Sequence, residues 1–342
     1  MRGGRAGWAV LGLALLLVVP ACSSGTPKAA SSTGPAASAP APSPSPSPSP
    51  IPIPSGPPVT TGQAAGNNFL LFLGGDLNSY AVTRIEGQLF PGSGAPASIV
   101  PQVPSQDPGD AVFAPALSPD HKRVAYVELP AATLASASND GGGPLVVQNV
   151  DGTGAKMVAT GDNLSPAWSP DGTKLAFVRG GQLYTMGADG SNQQSLGING
   201  TVDFHVSWSP DGTRIAFGAG NPAQVEIVTL ADKSVAPLGS VPQAGNPTWS
   251  PDGSKLVFFE SGSNALFVAS ADGSGAQQLT TCADPCTRDL EPSWSKDGTY
   301  IAYTRATNTN GVLDQQIWVV PAAGGTPQQV TTGPEGHAFP SW

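Results

Sequence analysis

Three stretches of this chain pair groups able to hold a metal ion or move a proton: Asp203 with His205, Asp289 with Glu291, and Glu335 with His337. A carboxylate beside an imidazole offers oxygen and nitrogen ligands. Two carboxylates can divide the work of general acid and general base. Asp110, Asn163 and Asn246 occupy comparable places elsewhere in the chain. Nucleophilic catalysis finds less support. No G-x-S-x-G elbow occurs, and the 3 histidines, one of them in a turn phrase, leave little from which to build a serine triad. What these groups can do depends on the elements that carry them.

Those elements repeat. The phrase PAWSPDGTKLAF surrounds Trp168, VSWSPDGTRIAF surrounds Trp208 and PTWSPDGSKLVF surrounds Trp249. A looser copy, PSWSKDGTYIAY, surrounds Trp294, a degenerate one, PALSPDHKRVAY, surrounds Leu117, and FPSW ends the sequence at Trp342. A period of this kind marks a repeat architecture. Within one unit, PAW, TKLAFVR, QLYTMGA and NQQSLGI read as four short strands bounded by Gly, Pro and Asp. Ser-Pro-Asp-Gly suits a type I turn followed by a residue at positive φ, joining first strand to second. His121 stands where the glycine should be, and histidine tolerates that conformation better than most residues. A second Asp-Gly turn recurs at Asp151, Asp189 and Asp272 and reads as a hairpin rather than a calcium loop.

The pattern P-x-W-S-P-D-G, with its apolar strand following, resembles the TolB-type, WD-repeat-like β-propeller repeat, over essentially everything after the first 66 residues. The resemblance implies an all-β fold and carries over no catalytic residue. Counting the anchors Leu117, Trp168, Trp208, Trp249, Trp294 and Trp342 predicts a six-bladed β-propeller of four-stranded antiparallel blades. The terminal FPSW should pair with the strands of NNFLLFLGGDLNSYAVTRIEGQLF, closing the ring without leaving a sheet edge. In such a ring the paired groups of the opening paragraph gather at one mouth of the central channel. His205 and His337 precede anchors three blades apart, so they should face each other across the channel rather than share a metal.

The ends set the context. Arg2 and Arg5 precede an apolar run from Ala9 to Val19 that is too short for a lasting span, as in a secretory signal. Val19-Pro20-Ala21-Cys22 resembles a bacterial lipobox, predicting a signal peptide over residues 1–21 and a lipidated Cys22. Acylation accounts for one of the 3 cysteines, leaving Cys282 and Cys286 to form a disulfide in an oxidising compartment. Residues 22–66, rich in Pro, Ser and Ala, read as a disordered tether, and residues 67–342 as the propeller. Polyproline geometry at ~3.1 Å per residue lets the tether reach on the order of 100 Å. The net charge of −9 becomes −11 once Arg2 and Arg5 leave with the signal, and no basic patch points to nucleic acid.

The expected protein is an exported, monomeric scaffold held by lipid to the outer face of the bacterial cytoplasmic membrane. It should bind an envelope protein or peptide through its channel face, using Asp203, His205, Asp289, Glu291, Glu335 and His337. Cell-wall glycan ranks second as a partner, and contact with the membrane is through the anchor only. No cofactor or catalytic residue is expected. The alternative is a hydrolase or lyase of envelope polymers that uses carboxylates at the channel mouth.

Overall fold

The computed structural model describes residues 69–75, 77, 83–90, 97–98, 111–129, 142–198, 202–220, 222–239, 241 and 243–342, with backbone alone for 83, 89, 97, 98 and 202–204. The leader, Cys22, the tether and Asp110 lie outside the described residues, within which regular structure is all strand. The chain opens with β1 (Phe69–Gly75), β2 (Thr83–Leu89) and β3 (Ala97–Ser98). There follow β4 (Ala111–Leu117), β5 (Arg123–Leu129), β6 (Gly143–Asn149), β7 (Lys156–Trp168), β8 (Lys174–Arg179), β9 (Gln182–Gly187) and β10 (Gln194–Ser195). Next are β11 (Val202–Trp208), β12 (Arg214–Ala219), β13 (Gln224–Thr229), β14 (Val235–Pro237), β15 (Ala244–Trp249), β16 (Lys255–Glu260), β17 (Ala265–Ser270) and β18 (Gln277–Gln278). Last come β19 (Cys286–Trp294), β20 (Tyr300–Thr309), β21 (Val312–Pro321), β22 (Gln328–Gln329) and β23 (Gly336–Ser341).

β11–β14, β15–β18 and β19–β22 are four-stranded antiparallel meanders, and a fourth sheet has the order β23-β1-β2-β3. The expectation of six separate four-stranded blades needs correction here. β4 to β10 make one continuous seven-stranded sheet, so only four separate sheets have four strands. The reason is β7, 13 residues long. Its first part pairs with β6 (Val147↔Lys156, Leu145↔Ala159), and its last part pairs with β8 (Ala167↔Ala176, Trp168↔Leu175). Gly161, at φ 89°, lies at a register shift in the β6 ladder, and Asn163 pairs on both sides, with Gly143 of β6 and Arg179 of β8. One strand thus ends one meander and begins the next without a break.

The recurrent phrase does what its residue types suggest. In its first full copy Gly172 N donates to Ser169 O (2.8 Å), and Gly172 has φ 67°. Asp171 accepts from Ser169 Oγ (2.6 Å) and Thr173 N (3.0 Å), while Ser169 Oγ in turn accepts from Lys174 N (2.9 Å). The Ser169 hydroxyl and the Thr173 amide bring the Asp171 carboxyl down to about 2. His121 takes the glycine position at φ 56° and is buried. In the second turn Asp189 accepts from Ser191 N (3.0 Å), and Asp151 and Asp272 repeat the contact with Thr153 and Ser274. These aspartates spend their oxygens on their own turns.

Tryptophan binds sheet to sheet. The indole of Trp168 packs with Ala125 and Val127 of the preceding meander and donates to Ala116 O (3.0 Å), while Arg123 lies 4.5 Å above the ring. Trp208 joins Ala176 and Val178, Trp249 joins Ala216 and Val225, and Trp294 joins Val257 and Leu266. A further cluster sets Phe69 and Leu71 of β1 against Val112 and Tyr126. Another returns from the last meander to the first, with Ala302, Ile317 and Val319 packed on Leu70 and Phe72. β23 lies antiparallel to β1, pairing Gly75↔Gly336, Gly74↔His337, Leu73↔Ala338 and Leu71↔Ser341, as expected for the terminal phrase.

Candidate functional site

The innermost strands β4, β7, β11, β15, β19 and β23 touch one another in that order, and β23 also touches β4. Each carries an irregularity just before its anchor. The ladders shift register between Phe113 and Ala116, Leu164 and Ala167, Val202 and Val206, Gly245 and Thr248, and Leu290 and Ser293. At these bulges Ala114, Ser165, Asn246 and Glu291 have φ of 47°, 49°, 50° and 55°, and Phe339 of β23 has 54°. Each stands three residues before an anchor, and so does His205. A non-glycine residue in left-handed conformation costs roughly 1–2 kcal/mol. Strain repeated at one position in successive strands is a property of the site rather than an accident of one loop.

His205, Asn246, Glu291 and Phe339 meet one another, with Phe113 beside them. The His205 ring of β11 stacks on Phe339 of β23 with centroids 6.0 Å apart and planes 5° apart. Phe113 meets the other ring edge-on at 4.5 Å. Asn246 Nδ2 donates to His205 Nδ1 (3.2 Å), which leaves the imidazole proton on Nε2. Burial pushes His205 down to about 4, in accord with that neutral ring. Glu291 Oε2 accepts from Thr304 Oγ1 (2.7 Å) and from Phe339 N (2.9 Å). Burial nevertheless pushes the Glu291 carboxyl up to about 7, outweighing both hydrogen bonds and the attraction of Arg288. The site is a half-buried polar ring with an aromatic stack through it.

Asn163, Asp289 and His337, each five residues before an anchor, behave differently, because they are buried in the packed sheets. Asp289 is fully buried and held by both Arg305 Nε and Nη2, each at 2.7 Å. Asn163, also fully buried, accepts from Arg179 Nε (2.8 Å) and donates to Gly143 O (2.9 Å). His337 lies 3.1 Å from Gln316 Oε1 and 3.4 Å from Glu86 Oε2. Arg84 bridges Glu86 (2.5 Å from Nε) and Glu335. Burial opposes ionisation of Glu86, but His337 and Arg84 hold its carboxyl below the usual range. Gly74 makes room for that carboxylate, since a Cβ there would lie 2.8 Å from Glu86 Cδ.

The structure therefore divides the sequence candidates. His205 and Glu291 come together on the axis, joined by Asn246 and by Phe113 and Phe339, which the sequence reading had not singled out. Asp289, Glu335 and His337 are bound into the sheets, and the Asp203 side chain lies outside the described residues. His337 is not opposite His205; Phe339 is. The signal available in the sequence was the constant three-residue offset from each anchor. Cys282 and Cys286 form a disulfide, with sulfurs 2.09 Å apart, at the entry to β19. Its sulfurs and Asp289 cluster closely, but a disulfide offers no thiolate to a metal.

Antiparallel meanders joined face to face by tryptophans around an axis define a β-propeller. A family model described as the TolB beta propeller domain matches residues 103–234. The Tol-Pal system protein TolB of Anaeromyxobacter dehalogenans (strain 2CP-C) is 32% identical over 130 residues, which are 36% of this chain and 29% of that protein. The TolB of Anaeromyxobacter sp. (strain K) matches equally well. This chain thus spans under a third of the length of these relatives. Among solved structures, TolB from Acinetobacter baumannii superposes with a TM-score of 0.64 at 19% identity, over 81% of this chain and 67% of that one. A putative TolB from Agrobacterium tumefaciens gives 0.54 at 17%, over 77% and 88%. The matched segment is thus similar to a TolB propeller domain, and the solved TolB structures share its fold.

Proposed function

We propose that this protein is an exported binding scaffold whose six-bladed ring offers its channel face to a protein or peptide of the cell envelope. Six wedges follow if the seven-stranded sheet is counted as two that share β7. The cyclic contacts of the innermost strands and the cluster joining β1 to β20 and β21 favour a closed ring. The domain layout proposed with it is a signal peptide over residues 1–21, a tether over 22–66 lipidated at Cys22, and a monomeric propeller over 67–342. The TolB relatives carry the Tol-Pal system in their name, which favours a protein partner over cell-wall glycan.

The observation that carries the reading is the convergence of strained residues on the axis: Asn246, Glu291 and Phe339, with His205 among them. Preorganised polar groups around an aromatic stack suit recognition of an inserted side chain or peptide end. A hydrolase reading is not adopted, because Arg305 occupies both oxygens of Asp289, the carboxylate that would pair with Glu291. The test places a photo-crosslinking residue at Asn246 in the full chain in cells and identifies what is captured. One discrete envelope protein, lost when Glu291→Lys is added, is expected. Capture that persists at the same yield with Glu291→Lys excludes the channel face. Melting of the same variant separates loss of partner from loss of fold.

A further inference from the structure

Glu291 leaves part of its hydrogen-bonding capacity unspent. Its Oε2 takes two donors, Thr304 Oγ1 (2.7 Å) and Phe339 N (2.9 Å), while its Oε1 accepts nothing among the described residues. On the neighbouring strand β15, Asn246 commits its Nδ2 to His205 Nδ1 (3.2 Å), and its Oδ1 likewise accepts nothing among those residues. Both side chains are half-buried. The groups left open are thus two acceptors, one of them able to carry a charge, on residues that touch the Phe339 and His205 rings.

A carboxylate in such surroundings is poorly solvated, which is why burial lifts Glu291 to about 7. Once ionised, it gains most from a cation brought against Oε1. Arg288, three residues earlier on β19, forms no ion pair among the described residues, and its pull on the carboxyl is weaker than that of either hydrogen bond. The remaining oxygen also selects the kind of cation. A guanidinium pairs best with both oxygens of a carboxylate at once, and Oε2 is already taken. An ammonium is a compact charge with three donors and no acceptor, and it needs only one oxygen. Its other hydrogens suit the Asn246 oxygen, and the aromatic rings offer apolar surface to a methylene stem.

We propose that this ring binds a primary ammonium group of the partner, with Glu291 Oε1 holding the charge. The inference rests on the channel-face reading and gives that face a chemistry. The ammonium belongs to a lysine side chain or to the first residue of a chain, and the test separates the two. With only 3 histidines in the sequence, the ring C–H signal of His205 can be followed by NMR in the full chain. Titrations at low salt and pH 8, where Glu291 is mostly ionised, would use acetyl-Gly-Lys-Gly-amide, Gly-Gly-Gly-amide, acetyl-Gly-Arg-Gly-amide and acetyl-Gly-norleucine-Gly-amide. The lysine peptide, the triglycine peptide or both should shift that signal, with a Kd below on the order of 10 mM. Whichever binds identifies the source of the ammonium. The arginine and norleucine peptides should bind at least about fivefold more weakly. Glu291→Gln should weaken ammonium binding about tenfold, a loss of roughly 1.4 kcal/mol, in a protein that still melts cooperatively. Equal binding of the arginine or norleucine peptide, binding indifferent to Glu291→Gln, or no shift with any probe would overturn the proposal. Capture of an envelope protein at Asn246 beside any of those results would leave the channel reading standing, so the two failures are told apart.

Discussion

Glu291 and His205 sit in one ring, yet their protonation answers to pH in opposite senses. The Glu291 carboxyl titrates at about 7 in the fold, against a reference of 4.5, so the folded state retains the proton between those values. Its contribution to stability is therefore greatest at or below pH 4.5 and declines as pH rises towards 7. Glu291→Gln keeps an oxygen for Phe339 N and removes the charge, and should raise the melting temperature by about 2–4 °C at pH 8, with little change at pH 5. His205 is pushed down to about 4 from 6.5, so folding weakens as pH falls through that interval. His205→Phe should flatten the acid limb of the same melting series. Asp289 makes the sharpest case of a buried pair: Arg305→Met leaves its fully buried carboxylate without a cation and should cost about 3–5 kcal/mol in denaturant unfolding. Adding Asp289→Asn should recover part of that loss. None of this pairing was legible from residue types, because Asp289 and Arg305 meet only through the register of β19 on β20.

At the scale of the element, the legible and the hidden parts lie three residues apart. Trp168, Trp208, Trp249 and Trp294 announce themselves by spacing, and the turn after each is dictated by Ser, Pro, Asp and Gly. The bulge before each is not announced, since Ala114, Ser165, His205, Asn246, Glu291 and Phe339 share no side-chain chemistry. All but His205 share a left-handed backbone conformation, which residue types do not reveal. The seven-stranded sheet was hidden for a related reason: Asn163 reads as a loop position but continues the pairing of β7 on both sides. Trp168 tests the role of the anchors. Trp168→Ala should lower stability by about 3–5 kcal/mol, read as a shift in urea midpoint at constant slope. A smaller loss would mean that the two meanders close over the gap.

For the whole molecule, the decisive contact is the pairing of β23 with β1. It joins Gly75 to Gly336, and it brings Phe339 N onto Glu291 and Ser341 Oγ within 3.0 Å of Leu117 N. Its loss would expose β1 along one edge and unseat the aromatic stack. Deleting residues 336–342 should therefore abolish cooperative thermal melting and make the protein aggregate on concentration, as judged by circular dichroism and light scattering. A truncated chain that melts as sharply as the intact one would show that the clasp is dispensable.

That same ladder makes the order of the chain negotiable. Since β23 runs antiparallel to β1, the residue after Ser341 and the residue before Leu71 lie at the same end of one hairpin-like pair. A short loop joining Trp342 to Phe69, with new termini cut between Asn310 and Gly311 at the tip of β20 and β21, would preserve every strand neighbour while renumbering the polypeptide. A circular permutant of this kind should fold, because the architecture specifies which strands adjoin and is indifferent to which of them is synthesised first.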